Sequence, residues 1–101
     1  MELTREQIKR LRAEGHRKKL KPVVIVGQNG LGENLHAEIE SALQRHELIK
    51  LRLPGLPRND KRELWQLICS RHDAELVQAI GNVIVIFRRN ADTNRYAALI
   101  D

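Results

Sequence analysis

Aromatic side chains are scarce in this chain of 101 residues: Trp65, Phe87 and Tyr96 are the whole set. Modules that read single strands by stacking bases on several exposed rings are therefore a poor match, and the core must be aliphatic. Cysteine is scarcer still. Cys69 stands alone, so no intramolecular disulfide can form and nothing points to an oxidising compartment. Long apolar runs are missing as well. The longest, Val23 to Val26 and Val83 to Phe87, are far too short to span a bilayer. The N-terminus is charged and has no apolar stretch behind it, which predicts no signal peptide, no membrane association and a cytoplasmic protein. The length suits one domain, and 42% hydrophobic with 31% charged residues suits a soluble fold.

What the chain does have is positive charge, placed at one end. The net charge is +5. Residues 1–21 hold eight basic residues (Arg5, Lys9, Arg10, Arg12, Arg17, Lys18, Lys19 and Lys21) against three acids, and the remaining chain is balanced. A one-sided excess of this kind fits a polyanionic partner, and also a solvated tail without one.

Hydrophobic periodicity divides the chain into regular elements. Thr4-Arg5-Glu6-Gln7 reads as a capping box opening a helix to about Gly15, with Ile8 and Leu11 inward. Arg5, Lys9 and Arg12 fall on one neighbouring face. Pro22 stops helix after the basic link, and Val23 to Val26 reads as a strand covered on both faces. Leu35, Ile39, Ala42 and Leu43 define a second helix from about Gly32 to near His46. Leu48 to Leu53 alternates as a half-buried strand, and Pro54 to Pro57 forms a rigid loop. Asn59 or Asp60 is placed to cap a third helix carrying Leu64, Leu67 and Ile68, ending near His72 or Asp73. Glu75 to Ile80 and Val83 to Phe87 then form a hairpin whose Gly81-Asn82 connection suits a type II′ turn. The expected fold is a compact two-layer α-β-α-β-α-β-β domain with a four-stranded mixed sheet. Its core covers about residues 4–90, and residues 91–101 form a tail that either packs late or frays.

Gly27-Gln28-Asn29-Gly30 lies between a strand and a helix start, where glycines permit close approach of a ligand backbone and helix amides favour a phosphate. The same glycines also suit a plain tight turn. The stretch to Gly32 is G-x-x-G-x-G, which is neither the dinucleotide fingerprint nor a P-loop. If the first strand is central, the basic link enters it from the end opposite this loop. Lys50 and Arg52 share one strand face, either extending a basic surface or merely alternating. Arg88 and Arg89 end the hairpin, within reach of phosphates or as a strand-end charge pair.

A catalyst needs a nucleophile, a base and an orienting group together, or a metal. His16, His36, His46 and His72 fall on separate elements, and Cys69 with His72 supplies two ligands of the four a structural zinc needs. No enzyme activity, metal, cofactor or small-molecule substrate is predicted. Cys69 and Trp65 read as packing residues.

Three stretches together resemble a known family. Leu20 to Leu31 looks like the signature of the CRM domain, the chloroplast RNA splicing and ribosome maturation domain. His46 to Leu51 resembles its second-strand motif and Val77 to Arg88 its closing hairpin, in family order. The chain resembles the stand-alone bacterial YhbY-type member. The resemblance implies an RNA-binding fold similar to the C-terminal domain of translation initiation factor three, with a Gly-x-x-Gly loop like that by which KH domains grip the nucleic-acid backbone. It further implies ribosomal RNA in precursors of the large ribosomal subunit as partner, and a role in ribosome assembly. Combined with the charge pattern, the expected RNA contacts are Gly27, Gln28, Asn29, Gly30 and Leu31 of the loop, Arg5, Lys9, Arg12, Arg17, Lys18, Lys19 and Lys21 of the basic end, and Lys50, Arg52 and Arg88, in a monomer. The alternative is an adaptor that reaches the ribosome through proteins. The family often has a basic residue inside the loop and Ser or Thr before the second helix; here Gln28-Asn29 and Gly32 stand there.

Overall fold

The computed structural model describes residues 2–101. In chain order the elements are α1 (Arg5–Arg17), β1 (Pro22–Ile25), α2 (Glu33–His46), β2 (Leu48–Arg52), α3 (Arg58–His72), β3 (Glu75–Ile80), β4 (Val83–Phe87) and α4 (Ala97–Ile100). The sheet order is β1-β2-β4-β3. β1 pairs parallel with β2, and β4 runs antiparallel to both β2 and β3.

The capping box forms as its sequence predicts. Thr4 Oγ1 accepts from the Gln7 amide at 3.1 Å, and Gln7 Oε1 accepts from the Thr4 amide at 2.8 Å. The helix runs on to Arg17, because the Leu20 amide caps the Gly15 carbonyl while Lys19 turns left-handed at φ 54°. Gly15 is a packing position: a Cβ there would stand 3.3 Å from Leu20 Cδ1 and 3.7 Å from Leu48 Cδ2. The absence of a side chain lets the end of α1 lie close against β2.

The strand expected to be covered on both faces is not β1. β1 is an edge strand, with Val24 and Val26 buried but Val23 49% and Ile25 67% exposed. A continuous β-branched run reports strand propensity without reporting what covers it. The doubly covered strand is β4, where Ile84 and Ile86 join one apolar cluster and Val85 and Phe87 the other. β2 is more buried than simple alternation predicts, since Leu48 lies under α1 while Ile49 and Leu51 face α2 and α3. α3 starts at Arg58, after Pro57 at φ −54° and ψ 153°, with no side-chain cap. The rigid proline sets the chain's entry angle, so Asn59 and Asp60 fall inside the first turn. The hairpin turn has Gly81 at φ 58° and Asn82 outside the positive-φ residues, as a type II′ connection requires.

Two clusters, one on each sheet face, replace the expected two layers. Val24, Ile39, Leu43, Ile49, Leu51, Ile68, Ile84 and Ile86 pack between the sheet and α2 and α3. Leu3, Leu11, Leu48, Val77, Val85, Phe87, Tyr96 and Ile100 pack on the opposite face under α1 and α4. The last residues are therefore a packed part of the domain. α1 covers only the Leu48, Phe87 and Val77 end of its face. Val23, Ile25 and Arg52 remain exposed on the rest of it.

Candidate nucleic-acid interface

The pairing of β1 continues one residue past the strand, with the Val26 amide donating to the Arg52 carbonyl at 2.8 Å. The chain then turns outward. The Gly30 amide closes onto the Gly27 carbonyl at 3.2 Å with Gly30 at φ 80°, and Gly32 accepts from the Leu35 and His36 amides to open α2. Gln28 and Asn29 are exposed. A Cβ at Gly27, Gly30 or Gly32 would meet nothing within 4 Å, so these glycines are not required by packing. Only Gly30 is required by its backbone angle. Leu31 is partly buried against the α2–α3 cluster, so it anchors the loop rather than offering itself to a ligand.

At the other end of β1 lies a groove of about 650 Å³. Lys18, Lys21, Lys50, His46 and Arg95 bring cationic or titratable nitrogen to it, over a floor that includes Leu20 and Leu48. Among the described residues no acidic one lines it. Lys18 Nζ donates to the Tyr96 hydroxyl at 3.1 Å and stands 4.7 Å from the ring centroid. The ring itself is buried edge-on against Phe87, with centroids 5.9 Å apart. Lys50 stands opposite Pro22 and Arg52 opposite Ile25, so the shared face of these two cations adjoins β1.

The basic end does not act as one block. Gln7 and Arg10 donate to the Ile100 and Leu99 carbonyls. At about 100° per residue, Arg5, Lys9 and Arg12 project from the flank of α1 turned away from α4. All three are exposed. Arg17 is held by Glu14 at 2.6 Å, on the surface. Lys19 is exposed.

Arg88, expected as a phosphate contact, is engaged within the protein. Its guanidinium forks onto Glu40 at 2.9 and 2.8 Å and also donates to the His72 carbonyl, with its side chain 19% exposed. Arg89 is paired to Asp101 at 2.6 Å. The Arg88 hydrogen bonds, joined by one from His72, hold the Glu40 carboxyl down at about 2. His72 Nδ1 lies 3.0 Å from Glu40 Oε1, and its Nε2 lies 2.9 Å from His36 Nδ1. Two histidines that the sequence places on separate helices thus meet in one buried chain of hydrogen bonds between α2 and α3. Burial, then Arg71 and His72, push the His36 pKa down. Among the described residues no group of three or more His, Cys, Asp or Glu is arranged to hold a metal. Burial raises the Cys69 thiol to about 11, which keeps it protonated beside the core.

Two residues of the groove, Arg95 and Tyr96, lie in the stretch expected to be a tail. They are placed by Glu47, which lies in the His46-to-Leu51 motif but to which the sequence assigns no role of its own. Its side chain is fully buried and accepts from the Asn90 amide at 3.2 Å, the Thr93 hydroxyl at 2.7 Å and the Arg95 amide at 2.8 Å. The available signals were an acid directly before the apolar Leu48-Ile49 pair, and a rare aromatic followed by Ala-Ala-Leu-Ile.

The CRS1 / YhbY (CRM) domain family model matches residues 3–88. A protein of Pseudomonas aeruginosa named as a probable RNA-binding protein is 44% identical over 95 residues, covering 94% of this chain and 89% of its own. One of Bacillus subtilis, named likewise, is 31% identical and covers 92% and 95%. The solution structure of a hypothetical Staphylococcus aureus protein, described as a candidate RNA-binding protein, superposes with a TM-score of 0.77 at 35% identity. That match covers 88% of this chain and 91% of that one. The chain belongs to the CRS1 / YhbY (CRM) domain family.

Proposed function

We propose that this chain is a non-catalytic RNA-binding protein of the cytoplasm, and that its RNA is ribosomal, bound in precursors of the large subunit during ribosome assembly. One observation carries the RNA reading. An open glycine loop and an acid-free basic groove lie at the two ends of the same exposed edge strand. The loop supplies backbone amides and the side chains of Gln28 and Asn29, without charge of its own. The groove and the exposed Arg5, Lys9, Arg12, Lys19 and Arg52 supply the attraction. Such a site gains affinity by displacing counterions from phosphates. The names of the relatives support RNA as the ligand class. The ribosomal assignment rests on the resemblance of a single stand-alone CRM copy to the bacterial members.

Crosslinking in cells followed by sedimentation tests this reading. Crosslinks to large-subunit ribosomal RNA, in particles lighter than the mature subunit, are expected. Crosslinks to proteins alone, unchanged when the eight basic residues before Pro22 are neutralised, would establish the adaptor instead.

A further inference from the structure

From the groove between α1, β2 and the C-terminal segment a second, smaller groove leads towards the loop end of β1. That second groove runs between β1 and α2 from Asn34, in the first turn of α2, past Ala37 and Ser41 to His46. Val23 and His46 line both grooves, so the two adjoin. The acid along this path is Glu38. From Gly27 back to Lys21 is six residues, about 20 Å at ~3.3 Å per residue. A stacked strand with a phosphate about every 3.4 Å covers that span in roughly six nucleotides.

Arg95 is set up to receive a phosphate at the far end. Its amide is held by Glu47, and its Nε donates to the Arg45 carbonyl at 2.9 Å. Both terminal Nη groups are without a hydrogen-bond partner among the described residues, on an exposed side chain. A guanidinium fixed through Nε, with its outer edge open, is pre-organised for a phosphate oxygen and loses little freedom on binding. Lys21 and Lys18 line the same groove. Its volume of about 650 Å³ lies within the range of small-ligand sites, and its apolar floor gives a base a surface to cover.

We propose that a single RNA strand passes from the Gly27–Gly30 loop along the β1–α2 groove and places a phosphate against Arg95 and Lys21, so that the C-terminal segment completes the RNA site. This rests on the RNA-binding reading above and extends it to a defined path and polarity of attraction. The loop fixes the backbone at one end, and the groove holds charge at the other.

The test measures binding of random-sequence single-stranded RNA octamers and of intact ribosomal RNA transcripts across a salt series. It uses the full chain and its Arg95→Gln, Lys21→Gln, Gly27→Val and Arg62→Gln variants. Arg62 is exposed on α3, away from both grooves, and controls for net charge alone. The Lys21 side chain makes no hydrogen bond among the described residues and is exposed, so its substitution leaves the fold intact if Arg95→Gln does not. Arg95→Gln and Lys21→Gln are each expected to weaken octamer binding about fourfold at 0.15 M salt and to lower the salt slope by about 0.7, while Arg62→Gln changes neither. If Gly27→Val weakens binding but the two groove variants match Arg62→Gln, the path is wrong and the RNA reading stands. If octamers fail to bind while transcripts bind, the single-strand path is overturned. If neither binds, the RNA reading itself fails. A groove-dependent association with a glutamate-rich peptide, with RNA binding unaffected, would assign the groove to a protein partner and also overturn the proposal.

Discussion

Replacing Glu47 by Gln should loosen the C-terminal segment selectively. Glu47 sits at φ 64° and ψ −46°, a strained conformation for a residue with a side chain, costing on the order of 1–3 kcal/mol. Its buried carboxylate carries a further desolvation cost. Both are offset by three hydrogen bonds to a charged acceptor, from Asn90, Thr93 and Arg95. Each such bond contributes about 1.5–3 kcal/mol. Glutamine can keep its oxygen where Oε2 stands and retain the Thr93 and Arg95 bonds at neutral strength. Its NH2 then faces the Asn90 N–H, donor against donor. One charged bond is lost, two are weakened, and the desolvation cost is relieved. The net is a destabilisation of about 2 kcal/mol. For a domain of this size that lowers the melting temperature by roughly 10 °C. The loss should be local as well as global. By hydrogen exchange the Arg95 amide should lose about 30-fold in protection, the equivalent of 2 kcal/mol, ahead of the β4 amides. Because Arg95 then spends more time away from the groove, octamer affinity should also fall by up to the fourfold expected for its contact. A Glu47→Gln protein within 0.5 kcal/mol of the parent by urea denaturation, with Arg95 protection unchanged, would refute the role of Glu47 in holding Arg95 at the groove.

Acid should weaken the junction of α2 and α3 in two steps. His36 has its pKa lowered by burial, so the unfolded chain binds its proton first; this contribution is complete above about pH 6.5 and lost as pH falls below it. The Glu40 carboxyl titrates at about 2 instead of 4.5, so its stabilisation is present above pH 4.5 and lost as pH falls towards 2. At full strength that difference is about 3 kcal/mol, but the Glu40 side chain is 46% exposed and screening leaves roughly 1 kcal/mol. Denaturation of the parent and of Glu40→Gln from pH 7 to pH 2 checks this, and parallel stability curves would contradict it. Arg88→Gln should destabilise by about 2–3 kcal/mol, since it removes two of the three hydrogen bonds to Glu40, leaving that of His72, and takes the donor from the His72 carbonyl. Its RNA salt slope should stay at the parent value. A fall of about 0.7 in that slope, with stability unchanged, would show that Arg88 meets phosphate after all.

Whatever local chemistry controls could be read along the chain. Thr4 and Gln7 specify the start of α1, Gly81-Asn82 specifies the hairpin turn, and the apolar positions of α2 face the core as their spacing requires. The loop between Gly27 and Gly30, the charge at one end and the family motifs were equally legible, because each lies within one short stretch of chain. Tertiary structure decided whatever depends on which surface covers which. Strand order put β1 at an edge and β4 in the double core, although both are continuous β-branched runs in sequence. Side chains far apart in the chain decided which cations are free. Arg88 is bound by Glu40, 48 residues away, while Arg95 is carried to the basic groove by Glu47, also 48 residues away. Periodicity and charge counts register neither event, because a buried carboxylate's partners are chosen by how the finished sheet and helices bring the segments together.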